Sequence, residues 1–187
     1  HMVHPWHDVP FDPETMSSCL PVIVEVPKGS KNKYELDKQT GLLKLDRVLF
    51  SAVHYPANYG FIPQTYGEDE DPLDVLVLGQ EPVDPLTLML AKPIGVMRMR
   101  DEKGADDKII ALSAKDPAYD DYSELGQLPR HLLNEMRQFF LDYKTLERKE
   151  VAVDHPLGLD IALDIIREGA ARYAAHADLL RAGKAAP

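Results

Sequence analysis

The stretch that most restricts the fold is Leu73-Asp-Val-Leu-Val-Leu78, a nearly continuous apolar run that follows five acids in seven residues, Glu68 to Asp74. An apolar run this short reads as a buried strand. Asp74 lies one residue inside it, so the fold has to bury a strand and still hold a carboxylate at its head. Other short runs surround it. Leu20 to Val26 is β-branched and apolar, Lys33 to Leu36 alternates, and Leu42 to Phe50 is broken by Asp46-Arg47. Pro93 to Met99 and Ile109 to Leu112 supply two more. Gly and Pro punctuate them at Lys28-Gly29, Thr40-Gly41, Asn58-Tyr59-Gly60 and Asp84-Pro85. Strands of this length and spacing predict a small barrel or sandwich.

After residue 128 the period changes. Pro129 suits the first turn of a helix. Leu132, Leu133, Met136, Phe139, Phe140, Tyr143 and Leu146 then recur at helical spacing. A second helix is predicted from about Leu157 to Leu180, weakened at Gly169. The expectation is one α+β domain over 1–187: a loop-rich lead-in at 1–20, a β-barrel core at 20–128 and two C-terminal helices at 129–182. Residues 183–187 are expected to fray. His1-Met2 reads as a cloning remnant and carries no weight.

Charge narrows the partners. The formal net charge is -10, a sign that disfavours nucleic acid and anionic membranes. An anionic substrate stays possible, because bound cations invert a local field. Cys19 is the only cysteine, so neither an intrachain disulfide nor a thiolate zinc cage forms. A partly buried, inert thiol is the expectation for it. No signal peptide or apolar run of spanning length is evident, which points to the cytoplasm.

The acidic stretch admits two readings. It is a solvated loop, or it is a site where hard cations with oxygen ligands offset the mutual repulsion of its carboxylates. Asp101 and Asp106 flank Gly104 ahead of Lys108; alone they mark a hairpin, but beside the first cluster they could close the same site. Lys33 and Glu35 share a strand face. Arg47 follows Asp46, and Tyr143-Lys144 ends the first helix.

Taken together, these residues resemble the family I soluble inorganic pyrophosphatases. The family signature is an Asp, a small or polar residue, Asp-Pro, an aliphatic, Asp and an aliphatic. It is matched by Asp69-Glu-Asp71-Pro-Leu-Asp74-Val75. Glu25, Lys33-Tyr34-Glu35, Asp46-Arg47, Tyr55-Pro-Ala-Asn-Tyr59-Gly60, Gly95-Val96, Asp101, Asp106, Lys108 and Tyr143-Lys144 follow in family order. Glu70 departs from the usual small residue and removes no ligand. The resemblance implies a five-stranded OB-type barrel with flanking helices, and Mg²⁺-dependent hydrolysis of pyrophosphate to two orthophosphates by a metal-activated water. It implies that Asp69, Asp74 and Asp106 hold activating metals, with Asp74 bridging two, and that Asp101 joins Asp106 on a further metal. Asp71 would be the general base or orient the water. Lys33, Arg47, Tyr59, Lys108, Tyr143 and Lys144 would grip phosphate oxygens, supported by Glu25, Glu35 and Tyr55. Several Mg²⁺ per site are implied, with Mn²⁺ or Zn²⁺ as substitutes. A homo-oligomer is implied too, with a hexamer favoured.

Rival readings fit less well. Asp69-x-Asp71 opens like an EF-hand loop, but Asp74 stands where the turn Gly belongs and Gln80 where the closing Glu belongs. An OB-fold nucleic-acid binder conflicts with the charge. The glycine-rich P-loop motif is absent.

Overall fold

Short strands with both faces apolar can bury those faces only by curling or stacking, and here they curl. The computed structural model describes residues 3–50, 52–102, 104–146 and 150–187. Its strands in chain order are β1 (Leu20–Val26), β2 (Asn32–Leu36), β3 (Leu43–Val48), β4 (Asn58–Phe61), β5 (Asp74–Leu78), β6 (Leu88–Met97), β7 (Met99–Asp101), β8 (Gly104–Ala105), β9 (Lys108–Ser113) and β10 (Ala152–Val153). Helix α1 spans Arg130–Leu146 and α2 spans Leu159–Arg181. Five strands close a barrel in the order β1-β4-β5-β9-β6. All of its pairings are antiparallel except β5 with β9, which run parallel. β2 and β3 form a separate hairpin, and β10, β7 and β8 a small three-stranded sheet. The α+β, five-stranded barrel with two C-terminal helices is therefore the observed architecture.

Side-chain alternation explains why β5 reads as continuously apolar. Successive residues of a strand face opposite sides. Val75 and Val77 join Ile109 and Ala111 in a cluster completed by Ala162 and Ile166 of α2. Leu76 and Leu78 join Ile110 and Leu112 in a second cluster, completed by Met136, Phe139 and Phe140 of α1. Each face of these strands thus has its own helix-backed core, and their polar residues, Asp74, Lys108 and Ser113, stand at the strand ends.

Several local expectations are corrected. Asn58-Tyr59-Gly60, read as turn punctuation, forms strand β4. Gly60 is there because β1 passes so close that a Cβ would stand 2.0 Å from the Ile23 carbonyl oxygen. Asn58 is buried but satisfied: its side chain accepts from Lys28 N and Val83 N and donates to the Glu81 carbonyl. The run placed at Pro93–Met99 begins earlier, at Leu88, and breaks before Met99. Gly169 does not interrupt α2. It lets the helix lie against Leu73, whose Cδ1 would be 2.5 Å from an added Cβ. Cys19 is exposed, because it lies in the turn before β1. The two chain ends are better packed than expected. Trp6 is buried and donates from Nε1 to the Thr65 carbonyl at 2.9 Å, while Ala186 folds back onto Tyr66.

Candidate active site

The parallel pairing of β5 with β9 builds the centre of the site. Its register sets Asp74 opposite Lys108, so the first side chains of two strands share one face. Lys108 Nζ reaches Asp74 Oδ2 at 2.5 Å, Asp106 Oδ1 at 2.9 Å and the Tyr59 hydroxyl at 2.9 Å. Asp69 arrives from the acidic loop. One carboxylate oxygen each of Asp69, Asp74 and Asp106 lies within 4.8 Å of the others. A break in register between Val24 and Val26 leaves Glu25 as the extra residue of β1. Such a bulge re-aims a side chain. Glu25 is buried and accepts from Leu36 N at 2.8 Å.

These residues face a cavity of about 240 Å³. Among the described residues its walls carry the carboxyls of Glu25, Glu35, Asp69, Asp71, Asp74, Asp101 and Asp106, and the amines of Lys33, Lys38, Lys108 and Lys144. Tyr55, Tyr59, Tyr143 and Phe140 complete much of the rest. Asp101 shares the cavity without belonging to the tight triad; Lys144 Nζ stands 3.8 Å from its Oδ2. Arg47 is not among the lining residues. Its guanidinium lies 5.1 Å from the centre of the Tyr143 ring, which is. Lys33 pairs with Asp46 at 3.1 Å and sits 5.6 Å from that same ring.

The electrostatics of the site are those of excess negative charge. Burial, the nearby Asp74, and to a smaller degree Glu35 and Asp71, push Glu25 up to about 8, against the pull of its bond from Leu36 N. Burial and then the Asp74 and Asp106 charges raise Asp69. Burial also raises Asp74, although Lys108 opposes it. Burial pushes Asp106 up, but Lys108, followed by Lys144 and a hydrogen bond with Asp74, together bring it below its ordinary value. Lys108 stays charged against burial because Asp106 and Asp74 flank it. One buried ammonium cannot neutralise this set. Clustered hard oxygen donors with unneutralised charge are the chemistry that Mg²⁺-class cations fit. The donor set contains no soft ligand among the described residues.

Residues 22–174 match the family described as inorganic pyrophosphatase. The chain belongs to that family. Soluble inorganic pyrophosphatase 2 of Chlamydomonas reinhardtii is 51% identical over 175 residues, covering 92% of this chain and 90% of that protein. Soluble inorganic pyrophosphatase PPA1 of Solanum tuberosum is 54% identical over 171 residues, covering 91% and 81% respectively. The crystal structure of the inorganic pyrophosphatase of Thermus thermophilus superposes with a TM-score of 0.86 at 39% identity, over 91% of this chain and 99% of that one.

Within this pyrophosphatase fold the acidic residues named from the sequence, Asp69, Asp71, Asp74, Asp101 and Asp106, all reach one cavity. So do Lys33, Tyr59, Lys108, Tyr143, Lys144, Glu25, Glu35 and Tyr55. Sequence reasoning missed Lys38. Its Nζ stands 2.5 Å from Asp71 Oδ1 and 2.9 Å from the Glu70 carbonyl oxygen. The nearby signal was the turn of the β2–β3 hairpin, where Asp37, Thr40 and Gly41 set a tight reversal. That signal fixes a turn and not which loop the turn faces.

Proposed function

We propose that the chain hydrolyses inorganic pyrophosphate to two orthophosphates, with Mg²⁺ held by Asp69, Asp74 and Asp106, and Asp101 serving a further ion. The observation that carries this reading is the meeting of Asp69, Asp74 and Asp106 beside a lysine-edged cavity. Family membership supplies the substrate class, and the relatives are named for the same substrate. When bound, divalent cations lower the pKa of water and neutralise phosphate charge.

The chain's own groups do the rest. Asp71 takes a proton from the attacking water, or orients it, from a half-exposed position on the acidic loop. Asp74, at the strand head, is held by Lys108. Lys33, Lys108, Lys144 and the hydroxyls of Tyr59 and Tyr143 take phosphate oxygens from the cavity wall, and Arg47 does so from its place beside the Tyr143 ring, which concentrates positive charge where the leaving phosphate gains negative charge. Glu25, Glu35 and Tyr55 support this array from the walls. Burial and neighbouring charge keep the Tyr55 and Tyr59 hydroxyls protonated, so both remain donors. Mn²⁺ or Zn²⁺ would satisfy the same oxygen set less selectively.

The reading includes a homo-oligomer, a hexamer by preference, in the cytoplasm. Exposed Leu42, Leu45 and Val48 on the β2–β3 hairpin, and Phe50 just after it, support an assembly surface. No helix among the described residues is long and apolar enough to cross a membrane.

The test is phosphate release from pyrophosphate with Mg²⁺, with chelator, and in Asp74→Asn. Turnover should require the metal and drop by about 100-fold or more in the variant, as when one preorganised electrostatic group is removed. Chelator-resistant turnover would discard the metal mechanism. Near-normal Asp74→Asn would discard the role given to Asp74.

A further inference from the structure

Lys38 stands in the turn between β2 and β3, on the wall of the cavity. Its ammonium makes two contacts to the acidic loop, to Asp71 Oδ1 at 2.5 Å and to the Glu70 carbonyl at 2.9 Å. Glu70 has φ of 67°, a left-handed conformation that a non-glycine residue adopts at a cost. The loop therefore holds a strained residue whose carbonyl is bound by Lys38. Lys38 is itself held from behind. The His4 ring Nε2 donates to the Lys38 carbonyl at 2.7 Å, and His4 Nδ1 accepts from Trp6 N at 3.2 Å, one consistent tautomer. The Trp6 ring lies 5.9 Å from the ammonium, within cation–π range. His4 and Trp6 lie before the stretch that matches the family, which begins at residue 22.

We propose that Lys38 is a positioning residue for the reaction. It fixes the Asp71 carboxylate through Oδ1 so that the second oxygen meets the water, and an N-terminal clasp of His4 and Trp6 keeps Lys38 in place. This rests on the reading of Asp71 as the group that handles that water. The side chains of Lys38 and Asp71 are 44% and 45% exposed. An ion pair that open to solvent adds little to folding stability, so its two-point geometry serves orientation. A small displacement of a reacting group costs about 100-fold in rate, which sets the scale of the effect.

The experiment measures kcat and KM for pyrophosphate with saturating Mg²⁺ in wild type, Lys38→Met, Lys38→Arg, Asp71→Asn, the Lys38→Met/Asp71→Asn double variant and Asp74→Asn, with a melting temperature for each. In Lys38→Met, kcat falls between about 10- and 100-fold while KM stays within about threefold. Lys38→Arg, which keeps a cation that can bind a carboxylate, recovers most of the loss. In the Asp71→Asn background the second substitution changes kcat by less than about twofold, because its effect passes through Asp71. The melting temperature of Lys38→Met moves by less than about 2 °C. Three outcomes overturn the proposal: unchanged kcat in Lys38→Met, a raised KM with unchanged kcat, which makes Lys38 a phosphate ligand, or full additivity with Asp71→Asn. Any of these beside an inactive Asp74→Asn leaves the functional reading standing. An active Asp74→Asn sinks that reading instead.

Discussion

Lys108 separates the stability of the site from its chemistry. It is buried and bonded to Asp74, Asp106 and Tyr59. Removing one partner from a buried ionic cluster leaves uncompensated charge, a loss of about 3–5 kcal/mol. Lys108→Met should therefore lower the unfolding free energy of the metal-free protein at pH 7.5 by that amount, read as a lower urea midpoint at unchanged m, and added Mg²⁺ should return part of it. A midpoint equal to wild type without metal would show that Lys108 carries no such burden. Asp74→Asn should behave in the opposite sense. Burial raises Asp74 despite Lys108, so its charge costs stability when no cation is present. The metal-free variant should unfold at no lower urea than wild type. Saturating Mg²⁺ at about 100 times its Kd adds about 2.7 kcal/mol to wild type by mass action; Asp74→Asn should gain less than half of that. These residues were legible because acids beside a buried strand are costly and so conspicuous. Lys38 was not, since a surface lysine in a turn carries no local sign of the loop it will meet.

At the level of elements, periodicity identified what packs and missed what is only close. β5 and β9 showed themselves through apolar runs, and α1 through its helical spacing. β4 did not, because Asn58 and Gly60 are turn-type residues by propensity. Asn58 earns its place by three hydrogen bonds to loops distant in sequence, and Gly60 by the backbone of β1. Neither cause is local. The parallel register that faces Asp74 with Lys108 was equally invisible, since pairing between strands separated by about thirty residues is decided by closure of the barrel. Gly60→Ala tests this. A methyl group 2.0 Å from the Ile23 carbonyl oxygen has to push β1 and β4 apart. Overpacking of this kind costs about 3 kcal/mol, read as a lowered urea midpoint. Activity should fall with it, because the next residue back, Tyr59, lies in the cavity wall and binds Lys108. A variant as stable as wild type would mean that the two strands have slack at this point.

Across the whole molecule, the ends of the chain are tied to each other near the site. His7 Nδ1 is 2.7 Å from the Tyr173 hydroxyl of α2, Arg181 donates to Asp8 at 3.0 Å and to the His7 carbonyl, and Gln64 Nε2 donates to that carbonyl at 2.9 Å. His7 is buried, and burial, followed by His4 and Arg181, lowers its pKa to about 4 while Asp8 opposes. In the unfolded chain a histidine titrates at about 6.5. Between those values the unfolded chain binds a proton that the folded protein refuses. The contribution of His7 is then complete above about pH 6.5 and is lost as pH falls toward 4, up to about 3 kcal/mol. Two of the cavity carboxylates act in the other direction. Asp69 and Asp74 have raised pKa values in the fold, so acidification relieves their repulsion and favours the metal-free folded state. The wild-type curve sums these with every other titrating group, Glu25 and Asp106 among them, and a single pH series cannot divide it. Comparison with His7→Gln can, because the glutamine does not titrate and the carboxylates are shared. In chelator, the loss of unfolding free energy from pH 7.5 to pH 4.5 should be smaller in His7→Gln than in wild type by about 2 kcal/mol. If the two proteins lose the same amount, His7 carries its proton in the folded state, and the contact between the lead-in and α2 does not exclude charge.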